Sequence, residues 1–83
     1  MQPILVHDLV GRVVVTQDGT KLGSLKDVAI DIDSGRVVHI EVKPVGLLGG
    51  PHLLIAAEEV IEIQSDAIVV KNTSVSAASL VVA

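Results

Sequence analysis

The chain has 83 residues and a formal net charge of −4, and 49% of its residues are hydrophobic although none is aromatic. Its aliphatic residues include 16 Val and 8 Ile beside 9 Leu, and this β-branched composition favours an all-β core. The acidic balance and the lack of aromatic rings argue against nucleic-acid binding, and the lack of cysteine excludes disulfides, thiolate zinc sites and thiol catalysis.

The first ten residues have no basic region ahead of an apolar one, and Asp8 interrupts them. They are therefore not typical of a signal peptide. No stretch approaches the ~20 consecutive apolar residues of a membrane-spanning helix, so direct membrane insertion is not expected. We expect a cytoplasmic protein with a single domain over residues 1–83.

Short apolar alternations predict six strands in chain order, near residues 12–16, 22–32, 36–43, 52–56, 60–64 and 67–71. The first ends at a turn that contains Asp18 and Gly19. In the second, Leu25 and Val28 are three residues apart, which predicts a β-bulge or a bend near residues 26–27. Residues 57–59 are predicted to form one helical turn. Strands this short, joined by tight turns, predict a small sandwich or an antiparallel barrel, and closure into a barrel is favoured because it removes exposed edges.

The stretch from Asp31 to Val37 allows two interpretations, a cation-binding loop or a hairpin turn. A calcium loop that began at Asp31 would need glycine at its sixth position and glutamate at its twelfth, but Gly35 is fifth and Val42 is twelfth. The spacing favours the turn, with Asp33 and Gly35 as turn residues and Gly35 supplying a positive φ. A weak cation site remains the alternative.

No other group of side chains predicts catalysis or metal binding. The three histidines, at positions 7, 39 and 52, are spaced without a metal-ligand pattern, and a solvated or hydrogen-bonded role is expected for each. The carboxylates of Glu58, Glu59 and Glu62 are predicted to form a solvated acidic face rather than an acid–base pair. Nucleophile-elbow and phosphate-loop motifs are missing. We expect neither an enzyme nor a cofactor.

Two apolar segments are not explained by a barrel core. The loop at residues 45–51 has the glycine and proline of a surface loop yet carries leucines, so it either covers the barrel as a lid or meets a partner. The tail at residues 74–83 is uncharged and apolar, which predicts that it is covered by its own barrel or by the sheet edge of another chain. The predicted partner interface consists of Leu47, Leu48, Pro51, Leu53, Leu80, Val81 and Val82.

Several residues in a fixed order resemble the PRC-barrel family. They are Gly11-Arg12-Val13-Val14, Asp18-Gly19, the run from Leu22 to Val28, Asp31, and Gly35-Arg36-Val37. The resemblance covers residues 8–73, taken as the barrel core, and Ala56-Ala57 depart from the proline–aromatic pair usual at that position. Gly23 of this pattern is taken as a turn residue, like Asp18, Gly19, Asp33 and Gly35.

The resemblance implies a six-stranded barrel that serves as a binding module. Relatives in this family include the cytoplasmic subunit of photosynthetic reaction centres and a ribosome-maturation protein. Free-standing archaeal members are similar to adaptors of FtsZ-based cell division, which bridge a membrane-anchoring factor to other proteins. We therefore expect a homodimeric or larger adaptor that contacts another PRC-barrel protein and a division membrane anchor at the division site. The alternatives are a ribosome-maturation or RNA-processing role, and a small-ligand or cation-binding regulator that uses Asp31 and Asp33.

Overall fold

The computed structural model describes residues 3–44 and 52–72, together with the backbone of residues 79–81. The strands are β1 (Val13–Thr16), β2 (Lys21–Ile30), β3 (Val37–Pro44), β4 (His52–Ala56), β5 (Val60–Ile63), β6 (Ala67–Val70) and β7 (Ser79–Val81). A four-residue helix, α1 (Val6–Leu9), precedes them, and a single 3-10 turn, Ala57–Glu59, joins β4 to β5. Within these described ranges no helix is long and apolar enough to cross a membrane.

The strands form one sheet in the order β5-β6-β1-β2-β3-β4-β7. Strands β1 to β4 follow each other as an antiparallel meander, and the β5–β6 hairpin then returns to the free edge of β1. The all-β class is confirmed, and β7 is an extra C-terminal segment added to the six predicted strands. Two details differ from an antiparallel barrel: β6 runs parallel to β1, and no described ladder joins β5 to β7 to close the sheet. The alternation of apolar and polar residues along a strand indicates which of its faces is buried. It does not indicate which other strand is its neighbour in the sheet.

The core is a single cluster of aliphatic side chains. Its buried members come from α1 and from β1, β2, β3, β4 and β6, so the sheet must curl until both ends contribute to one interior. Full burial of an aliphatic side chain contributes roughly 1.5–3 kcal/mol, which makes this cluster the main source of stability. The members are Leu9, Val14, Leu25, Ile40, Val42, Ile55, Ile68 and Val70.

The predicted β-bulge in the second strand is confirmed. The β2–β3 register shifts between Leu25 and Asp27, so that Leu25 lies opposite Val42 while Val28 lies opposite Ile40. Without the extra residue, two positions three apart would point to opposite faces of the sheet. The bulge therefore allows both Leu25 and Val28 to pack against the core.

Gly23 is not in a turn, contrary to the sequence-based assignment. It lies inside β2 opposite Pro44, where a Cβ atom would be 2.0 Å from the carbonyl oxygen of Lys43. Both atoms that would collide belong to the backbone or are fixed to it, so the clash cannot be relieved by rotating a side chain. Glycine is needed here because β2 and β3 approach closely.

We expect the Gly23→Ala substitution to lower the free energy of unfolding by about 2 kcal/mol, the cost of forcing extra volume into a packed site. Urea unfolding followed by circular dichroism measures this change. Ser24→Ala, at the next position of the same strand, is the matched control and should leave the midpoint nearly unchanged. Equal midpoints for Gly23→Ala and the wild type would show that the strands can separate without cost.

The turn between β2 and β3 uses the stretch from Asp31 to Gly35. Gly35 has a φ of 73° and donates its N–H to the carbonyl oxygen of Asp31 at 2.7 Å. The Asp31 carboxylate accepts hydrogen bonds from the Asp33 N–H at 3.0 Å and from the Ser34 hydroxyl at 2.9 Å. These bonds lower the pKa of Asp31, the Asp33 N–H having the larger effect. The segment is a hairpin turn, and the carboxylate of Asp31 accepts hydrogen bonds from two later residues of the same turn.

The turn between β1 and β2 is built in a similar way. Gly19 has a φ of 92°, and Asp18 accepts hydrogen bonds from the Thr16 hydroxyl and the Thr20 N–H. The Thr16 hydroxyl is the main cause of the lowered pKa of Asp18. The Asp18 N–H donates to Asn72 Oδ1 at 3.0 Å, which ties this turn to the residues that follow β6.

Ser34→Ala should raise the pKa of Asp31 towards its ordinary value of 3.8, because one of the two side-chain acceptor bonds is lost. In the wild type the folded-state pKa is below 3.8, so the contribution of Asp31 to stability is complete above that pH and is lost as the pH falls through the lowered value. NMR titration of the carboxyl carbons measures the shift. The pKa of Asp18, in the other turn, serves as an internal reference and should not change. A pKa of Asp31 unaffected by Ser34→Ala would contradict the hydrogen-bond assignment.

Candidate protein-interaction site

Most of the predicted interface cannot be placed on the described surface. Leu47, Leu48, Pro51 and Val82 lie outside the described residues. Leu53 is half-buried and packs against the core of its own chain. Leu80 and Val81 belong to β7, whose backbone pairs with β4 so that Leu80 lies opposite Leu53 and Val81 opposite His52. In this chain the described part of the tail is therefore an added strand at the β4 edge.

A different surface, missed by the sequence analysis, is an apolar cavity of about 310 Å³ that we call the apolar cleft. It lies between the N-terminal segment, β2, β3, the 3-10 turn and the β5–β6 hairpin. Four of its lining residues are buried core members, so the floor of the cleft is the core itself. The described residues that line it are all apolar: Ile4, Val6, Leu9, Leu25, Val28, Val37, Ile40, Ala57, Val60, Ile63 and Ile68.

The rim of the apolar cleft is exposed to solvent. Ile4, Val6, Val37 and Ile63 each expose between 38 and 48% of their surface. Ile30, opposite Val37 in the β2–β3 ladder, extends the apolar surface towards the turn. Contiguous exposed apolar surface on a small domain marks a site of interaction, whereas single exposed aliphatic residues do not.

Strand β5 forms one side of this site. In the described sheet it is an end strand, hydrogen-bonded to β6 on one side only. Its Ile61 and Ile63 are both about half exposed, but only Ile63 lines the apolar cleft. An end strand offers backbone N–H and C=O groups to an incoming extended segment, and alternate side chains of that segment can enter an adjoining cavity.

The predicted acidic face and the candidate cation site can each be compared with the described side chains. Glu58 and Glu62 are exposed, and Glu62 accepts a hydrogen bond from the Gln64 side chain at 3.3 Å. Among the described residues, no three histidine, aspartate or glutamate side chains are grouped to hold a metal ion. The carboxylate of Asp31 accepts two hydrogen bonds within its own turn.

His52 is the most buried of the three histidines and has a partner on the neighbouring strand. Only 6% of its surface is exposed, and its Nδ1 atom lies 2.6 Å from Oε2 of Glu41. Since β3 and β4 pair so that Glu41 lies opposite Leu54, the contact crosses the ladder diagonally. This hydrogen bond satisfies a buried ring nitrogen and fixes the orientation of the imidazole.

We expect Glu41→Ala to lower the free energy of unfolding by about 1–3 kcal/mol, because the His52 Nδ1 atom would lose its partner in a buried position. Glu41→Gln keeps an acceptor oxygen at the same distance and should lose clearly less. Urea unfolding of both variants provides the comparison. If Glu41→Ala were as stable as the wild type, the contact would contribute nothing to the fold.

The curled sheet, its core of aliphatic side chains and the exposed apolar cleft together define a small all-β binding module. The sequence matches the family of PRC-barrel domains over residues 1–76, which is most of its length. The chain therefore belongs to the PRC-barrel domain family, whose members are non-catalytic binding domains. A comparison with curated proteins gives no match.

Proposed function

We propose that this PRC-barrel domain binds an extended apolar segment of a partner protein in the apolar cleft, along strand β5. The observation that carries the proposal is the lining of the cleft, in which every described residue is apolar and four rim side chains are exposed. Covering apolar surface gains roughly 25 cal/mol per Å², so a partner that fills the cleft gains binding energy without having to desolvate charged groups.

The chemistry of the cleft favours a peptide over a small molecule. Small-molecule sites combine an apolar lining with a few polar groups that fix the orientation of the ligand. No polar side chain is among the described residues that line the apolar cleft, and its volume is at the lower end for such sites. The polar groups available nearby are those of the β5 backbone, and these suit an extended chain.

For the cellular setting, we propose an adaptor in archaeal FtsZ-based division that links a membrane-anchoring factor to other division proteins through dimers or polymers. The support for this setting is the resemblance to free-standing members of the family. The apolar cleft supports protein binding in general. The test of the setting is a binding measurement with the purified membrane-anchoring factor. Failure to bind would overturn the division role and leave the peptide-binding role to be judged on the cleft variants.

The cleft proposal predicts that Ile63→Asp lowers the affinity for the partner at least about tenfold, a loss of ~1.4 kcal/mol. The partner is identified by co-purification from native cells and is then purified, and affinities are measured by calorimetry. The substitution places a charge in the apolar cleft, and removing water from that charge opposes binding.

Ile61→Asp is the matched control, because Ile61 lies on the same end strand with similar exposure but outside the cleft lining. It should bind within about twofold of the wild type. Circular dichroism shows whether both variants are folded. A folded Ile63→Asp variant with wild-type affinity would rule out the apolar cleft as the binding site.

A further inference from the structure

The outer face of the sheet, turned away from the core, contains a second hollow. Ser24 and Lys43 lie opposite each other in the β2–β3 ladder, one position away from the buried pair formed by Leu25 and Val42. Alternation along the strands therefore places Ser24 and Lys43 on the outer face. A shallow hollow of about 450 Å³, which we call the basic hollow, lies here and is lined by Val10, Gly11, Ser24, Leu25, Lys26, Lys43 and His52.

The charge of the basic hollow is opposite to that of the whole chain. The chain has six lysines and arginines against ten aspartates and glutamates. Two of the lysines, Lys26 and Lys43, line the hollow together with His52, and no acidic residue is among its described lining residues. Lys26 is the extra residue of the β2 bulge, so the distortion that aligns the core also places this lysine beside the hollow.

His52 is held so that one of its ring nitrogens is available to the basic hollow. Its Nδ1 atom contacts Glu41, and no buried side-chain nitrogen or oxygen of the described residues lacks a hydrogen bond. His52 lines the hollow, and its Nε2 atom has no partner among the described residues. With Nδ1 held by Glu41, an N–H at Nε2 can donate to a carboxylate in the hollow. Glu41 and Asp27, opposite each other in the ladder, limit the basic region on that side.

We propose that the basic hollow is a docking site for an acidic segment of a partner protein, one whose carboxylates meet Lys26, Lys43 and His52. Val10, which is about half exposed, lines the same hollow, so a segment that mixes carboxylates with an aliphatic residue is suitable. A nucleic acid or an anionic membrane is the less suitable occupant, because the net charge of −4 repels an extended anionic surface while a short segment experiences mainly the local cations. This site is separate from the apolar cleft, and the proposal does not depend on it.

The test uses the full chain and a synthetic peptide, acetyl-Glu-Glu-Leu-Glu-Glu-amide, titrated into the ¹⁵N-labelled protein. Saturable chemical-shift changes at Ser24, Lys26, Lys43 and His52 are expected, with binding that weakens as salt is added. The peptide with glutamine in place of glutamate should not bind. Inorganic phosphate and vesicles with phosphatidylserine are the other arms, and tighter binding to either would overturn the assignment to an acidic peptide.

Lys43→Ala should weaken peptide binding up to about fivefold, as expected for one solvent-exposed charge pair. Lys71→Ala is the matched control, since Lys71 is an exposed lysine outside the basic hollow, and it should leave binding unchanged. Equal effects of the two substitutions, or equal binding of the glutamine peptide, would overturn the proposal. Ile63→Asp should still bind the acidic peptide, so failure of the apolar cleft proposal and failure of this one give different results.

Discussion

The close packing of β2 against β3 is the constraint on which the rest of the fold depends. A chain without aromatic residues must fill its interior with aliphatic side chains, so its core depends on strands whose register brings these side chains to one face. Gly23 allows β2 and β3 to approach closely at the Lys43 carbonyl, and the bulge at Lys26 then aligns Leu25 and Val28 with the same core. The longest ladder of the sheet is formed in this way, and the shorter strands are added on either side of it.

The open form of the sheet determines where the interior reaches the surface. If β5 and β7 were paired, the side chains between them would be enclosed by the barrel. Because the described sheet ends at β5, core residues such as Leu25 and Ile68 continue into the apolar cleft and then to the exposed rim at Val37 and Ile63. The candidate binding surface is thus a continuation of the folding core. Substitutions at the floor of the cleft would disturb stability as well as binding, whereas those at the rim can separate the two.

Local features were predictable from the sequence because their causes are local. The turn at Asp31 to Gly35 follows from a glycine at the positive-φ position and a carboxylate close enough to accept from the next turn residues. The bulge follows from apolar residues three apart in a strand. The parallel pairing of β1 with β6 was not predictable, since either edge of β1 would satisfy the same alternation of Val14 and Thr16.

The two candidate surfaces were not predictable either, because each depends on tertiary structure that brings separate parts of the chain together. The apolar cleft brings together Ile4, Val37 and Ile63, which are far apart in the sequence, and each by itself resembles an ordinary exposed aliphatic residue. The sequence did carry one signal for the apolar cleft, the consecutive residues Val37 and Val38. Consecutive residues of a strand point to opposite faces, so a strand with one solvated face would bury only one of these two valines. The basic hollow likewise depends on the bulge that moves Lys26 out of the regular alternation.

The parallel ladder between β1 and β6 has a consequence for how the chain folds during its synthesis. The meander of β1 to β4 uses contacts between successive strands and can form early, as residues 13–56 become available. The second edge of β1, however, is paired with residues 67–70, so it stays open until that later segment has been made. Non-local pairing of this kind slows folding and leaves a strand edge exposed to other chains in the meantime. The edge of β4 that pairs with residues 79–81 stays open for longer still, so the nascent meander exposes an unpaired edge on both sides, although β1 and β4 are both interior strands of the finished sheet.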